Sequence, residues 1–231
     1  MIRAATEFRA SLPIASNPAA HARETFDSLD KAKVRAALHE EQHALCIYCE
    51  RGIDEGGHPP PIEHWHPLGE EPQLALDWEN LYLSCATSGT CDDAKAGRKL
   101  ACDAATPSLP PPSQITYEHC VGFTKHGEMY VRDDAPLLPG QRRSLAFAIG
   151  GCEEDGTYRP SILNLNAPAL VEARREAIDA ERVKLDRRFA GRRATQADRC
   201  ALAERLLSSS VRPRFVSVRV AYLKKTLGQG R

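Results

Sequence analysis

Apolar and polar positions along this chain fall into periodic stretches separated by two proline-rich breaks. From Ser28 to Ala44, with Leu45 just beyond, Val34, Leu38 and Leu45 recur at helical spacing, and Ser28 or Asp30 stands where an N-cap is needed. That helix delivers the chain to the first cysteine pair. Gly52 to Pro61 contains Gly56, Gly57 and the run Pro59, Pro60 and Pro61, so it is a loop. Ile62 to Leu68 reads as a short strand, and Leu81 to Ser84 alternates well enough to be its partner or an approach to it. Asp92 to Lys99 reads as a helix.

The second break, Thr106 to Ser113, reads T-P-S-L-P-P-P-S and sustains neither helix nor central strand. It divides the chain into an N-terminal unit, residues 1–105, and a C-terminal unit, residues 106–231. Beyond it, Val121 to Val131 predicts a β-hairpin turning at His126-Gly127. A long helix opens at Asn166 or Ala167 with Pro168 in its first turn, and runs through Arg174, Ile178 and Val183 towards Phe189. A further helix spans Gln196 to Leu207. The tail from Arg212 to Leu223 places Phe215, Val216, Val218 and Val220 in a pattern that suits strand and helix equally. The expected class is α+β, with a mainly helical C-terminal region.

Length allows one full core and a smaller appended unit, since 42% of the 231 residues are hydrophobic. No apolar run approaches a membrane span. The start, M-I-R-A-A-T-E-F-R, lacks the apolar stretch of a secretion signal. A cytoplasmic location with reduced thiols is therefore expected, and the eight cysteines read as metal ligands and core residues. Net charge is zero, which hides an asymmetry. From Ser161 onward 16 Lys and Arg face 7 Asp and Glu, a net of +9, leaving −9 for residues 1–160. The basic half suits a polyanion, although solvated helix faces use arginine in the same way.

Cys46 and Cys49 form a C-x-x-C knuckle whose spacing lets two thiolates reach one tetrahedral zinc, and Cys85 with Cys91 complete four. Five residues separate the second pair where two are usual, so Cys102 stands as an alternative fourth ligand. Cys120, Cys152 and Cys200 have no partner spacing and read as core. A redox role needs a βαβ setting that is not visible here.

Between the cysteine pairs lie I-E-H-W-H-P and W-E-N-L-Y-L-S-C, followed by C-D-D-A-K. Cutting a phosphodiester requires an activated water and neutralisation of charge on the leaving oxygen, which one imidazole and one divalent ion supply together. Glu63 and Asp92 form an oxygen ligand set suited to Mg²⁺ or Mn²⁺, His64 is the candidate base, and Asn80 orients it. Asp93 beside Asp92 is a competing ligand. Taken singly, each residue also has a bland reading as surface or turn; their order between cysteine pairs is what carries the signal.

That order resembles the HNH nuclease motif of the ββα-metal type, in which an acidic-His dipeptide, an Asn and a final metal ligand are braced by a four-cysteine zinc knuckle. The spelling from Cys46 to Gly97, together with L-N-L-N-A-P-A-L-V-E-A-R-R from Leu163 to Arg175, is similar to the HNH subunit of Septu and retron-linked anti-phage systems. The resemblance implies a structural zinc, a catalytic Mg²⁺ or Mn²⁺, a nucleic-acid substrate, DNA before RNA, and an ABC-type ATPase partner. It also marks His66, Lys95 and Arg98 as phosphate contacts. The chain itself has no G-x-x-x-x-G-K-[ST] loop, so the ATP site would belong to the partner. Two other classes remain open: a zinc-braced nucleic-acid-binding module that cuts nothing, and a purely structural adaptor for the ATPase.

Overall fold

The computed structural model describes residues 18–56, 58–152, 158–159 and 161–228, without the side chains at 18–20, 55–56, 151–152 and 158–159. The N-terminal M-I-R-A-A-T-E-F-R, Gly57 and the Cys152 side chain lie outside what is described. Seven α-helices and three two-stranded antiparallel sheets are formed by the described residues: α1 (Pro18–Asp27), α2 (Lys31–Glu41), β1 (Ile62–His64), β2 (Leu81–Leu83), α3 (Cys91–Lys95), β3 (Val121–Phe123), β4 (Met129–Val131), α4 (Pro139–Ile149), β5 (Gly151–Cys152), β6 (Tyr158–Arg159), α5 (Pro168–Arg188), α6 (Gln196–Ser208) and α7 (Val216–Lys224). The class is mixed α+β with small sheets.

Local signals explain most element ends. Asp30 caps α2 by accepting from the Lys33 N–H at 3.2 Å, and Thr195 with Asp198 forms a reciprocal capping box on α6. The β1 strand is shorter than the expected Ile62–Leu68. After the register pairs Ile62 with Leu83, Glu63 with Tyr82 and His64 with Leu81, the Asn80 side chain takes the His66 N–H and Pro67 has none to give, so the ladder stops. Helix α3 ends at Lys95 rather than Lys99 because Ala96 and Gly97 turn left-handed, at φ 49° and 71°.

The undecided tail is a helix. Phe215, at φ 55°, precedes it, and Val216, Val218 and Leu223 are buried where α7 packs on α5 and α6. Burial on a helical face outweighs the strand-like alternation of its valines. The sequence pattern marks neither α1 nor α4. The latter starts on Pro139 with Gln141 reaching back to the Leu138 N–H at 3.0 Å.

One main apolar cluster runs from Phe26 through Leu83, Leu100, Leu109, Phe123 and Leu170 to Val218 and takes in the buried cysteines. The proline-rich stretch packs against this cluster. Leu109 is buried, its N–H donates to the Leu100 carbonyl at 2.8 Å, and its own carbonyl accepts from Trp65 Nε1 at 2.7 Å. Strands β3 and β4 are tied to the start of α5 by Asn166, whose amide pairs with both backbone groups of Met129 at 2.8 Å. Among the described residues no helix is long and apolar enough to cross a membrane.

Candidate functional site

The site is assembled on the cysteine knuckle. Cys46 donates its N–H to the Arg51 carbonyl at 2.8 Å and Glu50 donates back to Cys46 at 3.0 Å, a tight turn that Glu50 closes at φ 61°. Cys85 follows β2. Cys91 opens α3 at φ 55° and is held by donation to the Leu163 carbonyl at 2.8 Å. The wide gap between these two is a turn. Gly89, at φ 72°, donates its N–H to Asp93 Oδ2 at 2.6 Å, which folds the five residues back on themselves.

All four thiols are buried, free, and within 4.8 Å of one another. Cys49 Sγ and Cys85 Sγ are 3.7 Å apart, against about 3.8 Å for two sulfurs on a tetrahedral zinc with bonds of about 2.3 Å. Their crowding also calls for a cation: bonds from Cys46, Cys49 and Cys91 draw the Cys85 thiol far below its usual range, while Cys49 and Cys91 are pushed well up by their neighbours. The donor set fits a metal such as zinc. Cys102, half-buried beside Asp103, stands outside it, and Cys200 is half-exposed next to Gln196 rather than in the core. Cys120 is fully buried.

Ser84 joins the thiols to a pair of carboxylates. Its Oγ lies 3.7 Å from Cys46 Sγ and accepts from the Asp92 N–H at 3.4 Å. Glu63, on β1, is 7% exposed. Its Oε1 accepts from the Tyr48 hydroxyl at 3.1 Å and is also in contact with the Lys95 ammonium, which donates in addition to the His64 carbonyl. Asp92 faces Glu63. Burial first, and the neighbouring Glu63 second, push its carboxyl up to about 7. Asp93 is turned the other way, engaged by Gly89 and Ser88.

The pleat sends Glu63 and His64 to opposite faces of β1. The His64 ring packs edge-on against Phe26 at 4.5 Å, and its Nε2 lies 2.9 Å from the Ala75 carbonyl. A carbonyl only accepts, so Nε2 carries the proton and Nδ1 keeps the lone pair. Burial, then the positive charge of Lys95, Arg23 and Lys31, lowers the imidazole pKa and favours the neutral ring. Asn80 does not touch that ring. It is buried, accepts from the His66 N–H at 2.7 Å, and donates to the His66 and Leu74 carbonyls at 3.1 Å each, fixing the segments on either side of His64, including the neighbour of Ala75.

The three expected phosphate contacts are differently placed. His66 Nδ1 is 3.1 Å from Glu71 Oε1 but out of line for a hydrogen bond. Arg98 is exposed and closes the end of α3 by donating to the Lys95 and Ala94 carbonyls at 3.1 and 2.6 Å. Lys95 points inward. The sequence pattern singles out neither Tyr48 nor Ser84. Both lie inside quoted motifs, C-I-Y-C and Y-L-S-C, but only the fold aims them at Glu63 and Cys46.

No family model matches the chain. Over 69 residues it is 35% identical to the Septu protein PtuB of Bacillus thuringiensis, a stretch covering 28% of this chain. The match supports a Septu-related relationship. It spans 27% of that protein's length.

Proposed function

We propose that this chain is a metal-dependent endonuclease of the HNH type, hydrolysing phosphodiester bonds of nucleic acid, DNA in the first instance. In this reading it is the effector of an anti-phage defence pair whose other member is an ABC-type ATPase, and the similarity to a Septu protein supports that setting. The observation that carries the reading is the meeting of Glu63 and Asp92, from a hairpin and the short helix after it, beside His64 and a four-thiol cluster.

His64 Nδ1 takes the proton of the attacking water, and the Ala75 carbonyl holds the ring and stabilises the imidazolium that results. Asn80 keeps that carbonyl's segment in place. Glu63 and Asp92 would hold Mg²⁺ or Mn²⁺, and that ion would supply neutralisation of the charge developing on the leaving oxygen. Cys46, Cys49, Cys85 and Cys91 would hold the structural zinc. His66 and Arg98 border the site as phosphate contacts.

One observation favours a module that binds without cutting: the Lys95 ammonium already neutralises Glu63. Both readings are tested by incubating the protein and its His64→Ala variant with supercoiled plasmid and Mg²⁺ or Mn²⁺. Nicking by the wild type alone is the expected result. Equal nicking by both removes His64 as the base, and metal-independent silence even with the ATPase present favours the binding module.

A further inference from the structure

We propose that Lys95 is an internal counter-ion that occupies the Glu63 carboxylate in place of the catalytic divalent cation and has to leave when that cation binds. The inference rests on the nuclease reading and adds a control element to the same site.

Lys95 is 1% exposed, and a fully buried ammonium persists only with a counter-charge and satisfied donors. Its partners are Glu63 Oε1 and the His64 carbonyl. The Tyr48 hydroxyl shares that same carboxylate oxygen. Asp92 lies three residues before Lys95, on the same face of α3, and its carboxyl meets Glu63 as well. The oxygens gathered at this point are two carboxylates, a carbonyl and a phenol. That is the environment a hard divalent ion selects.

An ammonium and a divalent ion held against one buried carboxylate repel each other with little screening, so each binds there at the other's expense. Metal entry is therefore an exchange of cations on Glu63. Lys95 is the last residue of α3, followed by left-handed Ala96 and Gly97, so its flexible stem can swing out without unwinding further turns. Once released, the ammonium lies at the edge of the site, where a substrate phosphate arrives. Metal and substrate would then reinforce one another, each supplying a partner for a charge that the other uncovers.

Mn²⁺ binding to the zinc-loaded chain, read from the electron paramagnetic resonance of free Mn²⁺, tests the exchange in the wild type, Lys95→Met, Glu63→Gln and Asp92→Asn. Lys95→Met should bind about tenfold more tightly than wild type, the size of an ordinary coupling between competing ligands, and the two carboxylate variants should bind more weakly. Equal affinity of wild type and Lys95→Met, with both carboxylate variants weakened, overturns the exchange and leaves the carboxylate site standing. Unchanged binding in Glu63→Gln and Asp92→Asn overturns the carboxylate site and the exchange together. A measurement on the wild type guards against a misfolded Lys95→Met: acylation of the Lys95 amine, mapped by mass spectrometry, should be blocked without Mn²⁺ and proceed at saturating Mn²⁺. Protection that persists at saturation overturns the proposal.

Discussion

The Glu50 carboxylate accepts both the backbone N–H, at 2.9 Å, and the hydroxyl of Ser217, a residue 167 positions further along the chain. Glu50 directly follows Cys49, and its carbonyl accepts from the Phe215 N–H at 2.9 Å. The first turn of the last helix is therefore clamped to the cysteine knuckle. Burial raises the Glu50 carboxyl pKa, against the two Ser217 bonds that lower it.

A metal in the thiol cluster should accordingly be felt at α7. The purified chain is expected to carry one zinc per molecule by elemental analysis, and Cys85→Ser to carry none. Structural zinc contributes about 10–16 kcal/mol of apparent binding free energy in small domains, so chelation should sharply lower the melting temperature. Amide exchange around Val216 to Val218 should accelerate at the same time. Protection there that survives chelation would show that the clamp does not depend on the metal.

Ser217→Ala removes a hydroxyl bond to a half-buried carboxylate, and hydrogen bonds to charged groups contribute about 1.5–3 kcal/mol. Denaturant unfolding should show a loss of that size in the zinc-loaded protein. A loss within about 0.5 kcal/mol, typical of an exposed surface site, would mean that water replaces the hydroxyl.

Gly127 turns the β3–β4 hairpin at φ 93°, and a Cβ there would stand 2.3 Å from the Val171 carbonyl oxygen. Its own carbonyl accepts from the buried Arg174 guanidinium at 3.0 Å. Gly127→Ala should cost about 2–4 kcal/mol through strain and displacement of α5. Equilibrium unfolding measures it, and a wild-type midpoint would refute the close approach.

Asn80→Ala and His64→Ala should separate support from chemistry. The first removes three hydrogen bonds made by a buried side chain and is expected to lower stability by about 2–4 kcal/mol together with any plasmid cutting. The second should abolish cutting with a stability change of about 1 kcal/mol or less. Normal stability in Asn80→Ala would remove it from the supporting frame.

What the chain says by itself is what short-range physics writes. Asp30 and Pro168 mark helix starts, the His126-Gly127 pair marks a hairpin turn, and the cysteine spacing marks thiols that could hold a metal, because caps, turns and knuckles act over a few residues. The order of Glu63, His64, Asn80 and Asp92 was legible for the same reason. Tertiary structure decided the rest. Cys91 rather than Cys102 completes the thiol cluster because the Gly89 turn and the Leu163 carbonyl bring it there. Asp92 rather than Asp93 meets Glu63 because α3 presents only one of two adjacent side chains to β1. Lys95 turns inward because a carboxylate 32 positions earlier needs a counter-charge, and the valine-rich tail is a helix because α5 and α6 offer it a helical groove. Partners distant in sequence leave no periodicity to read: they exist only once packing has removed the water that would otherwise satisfy each group alone.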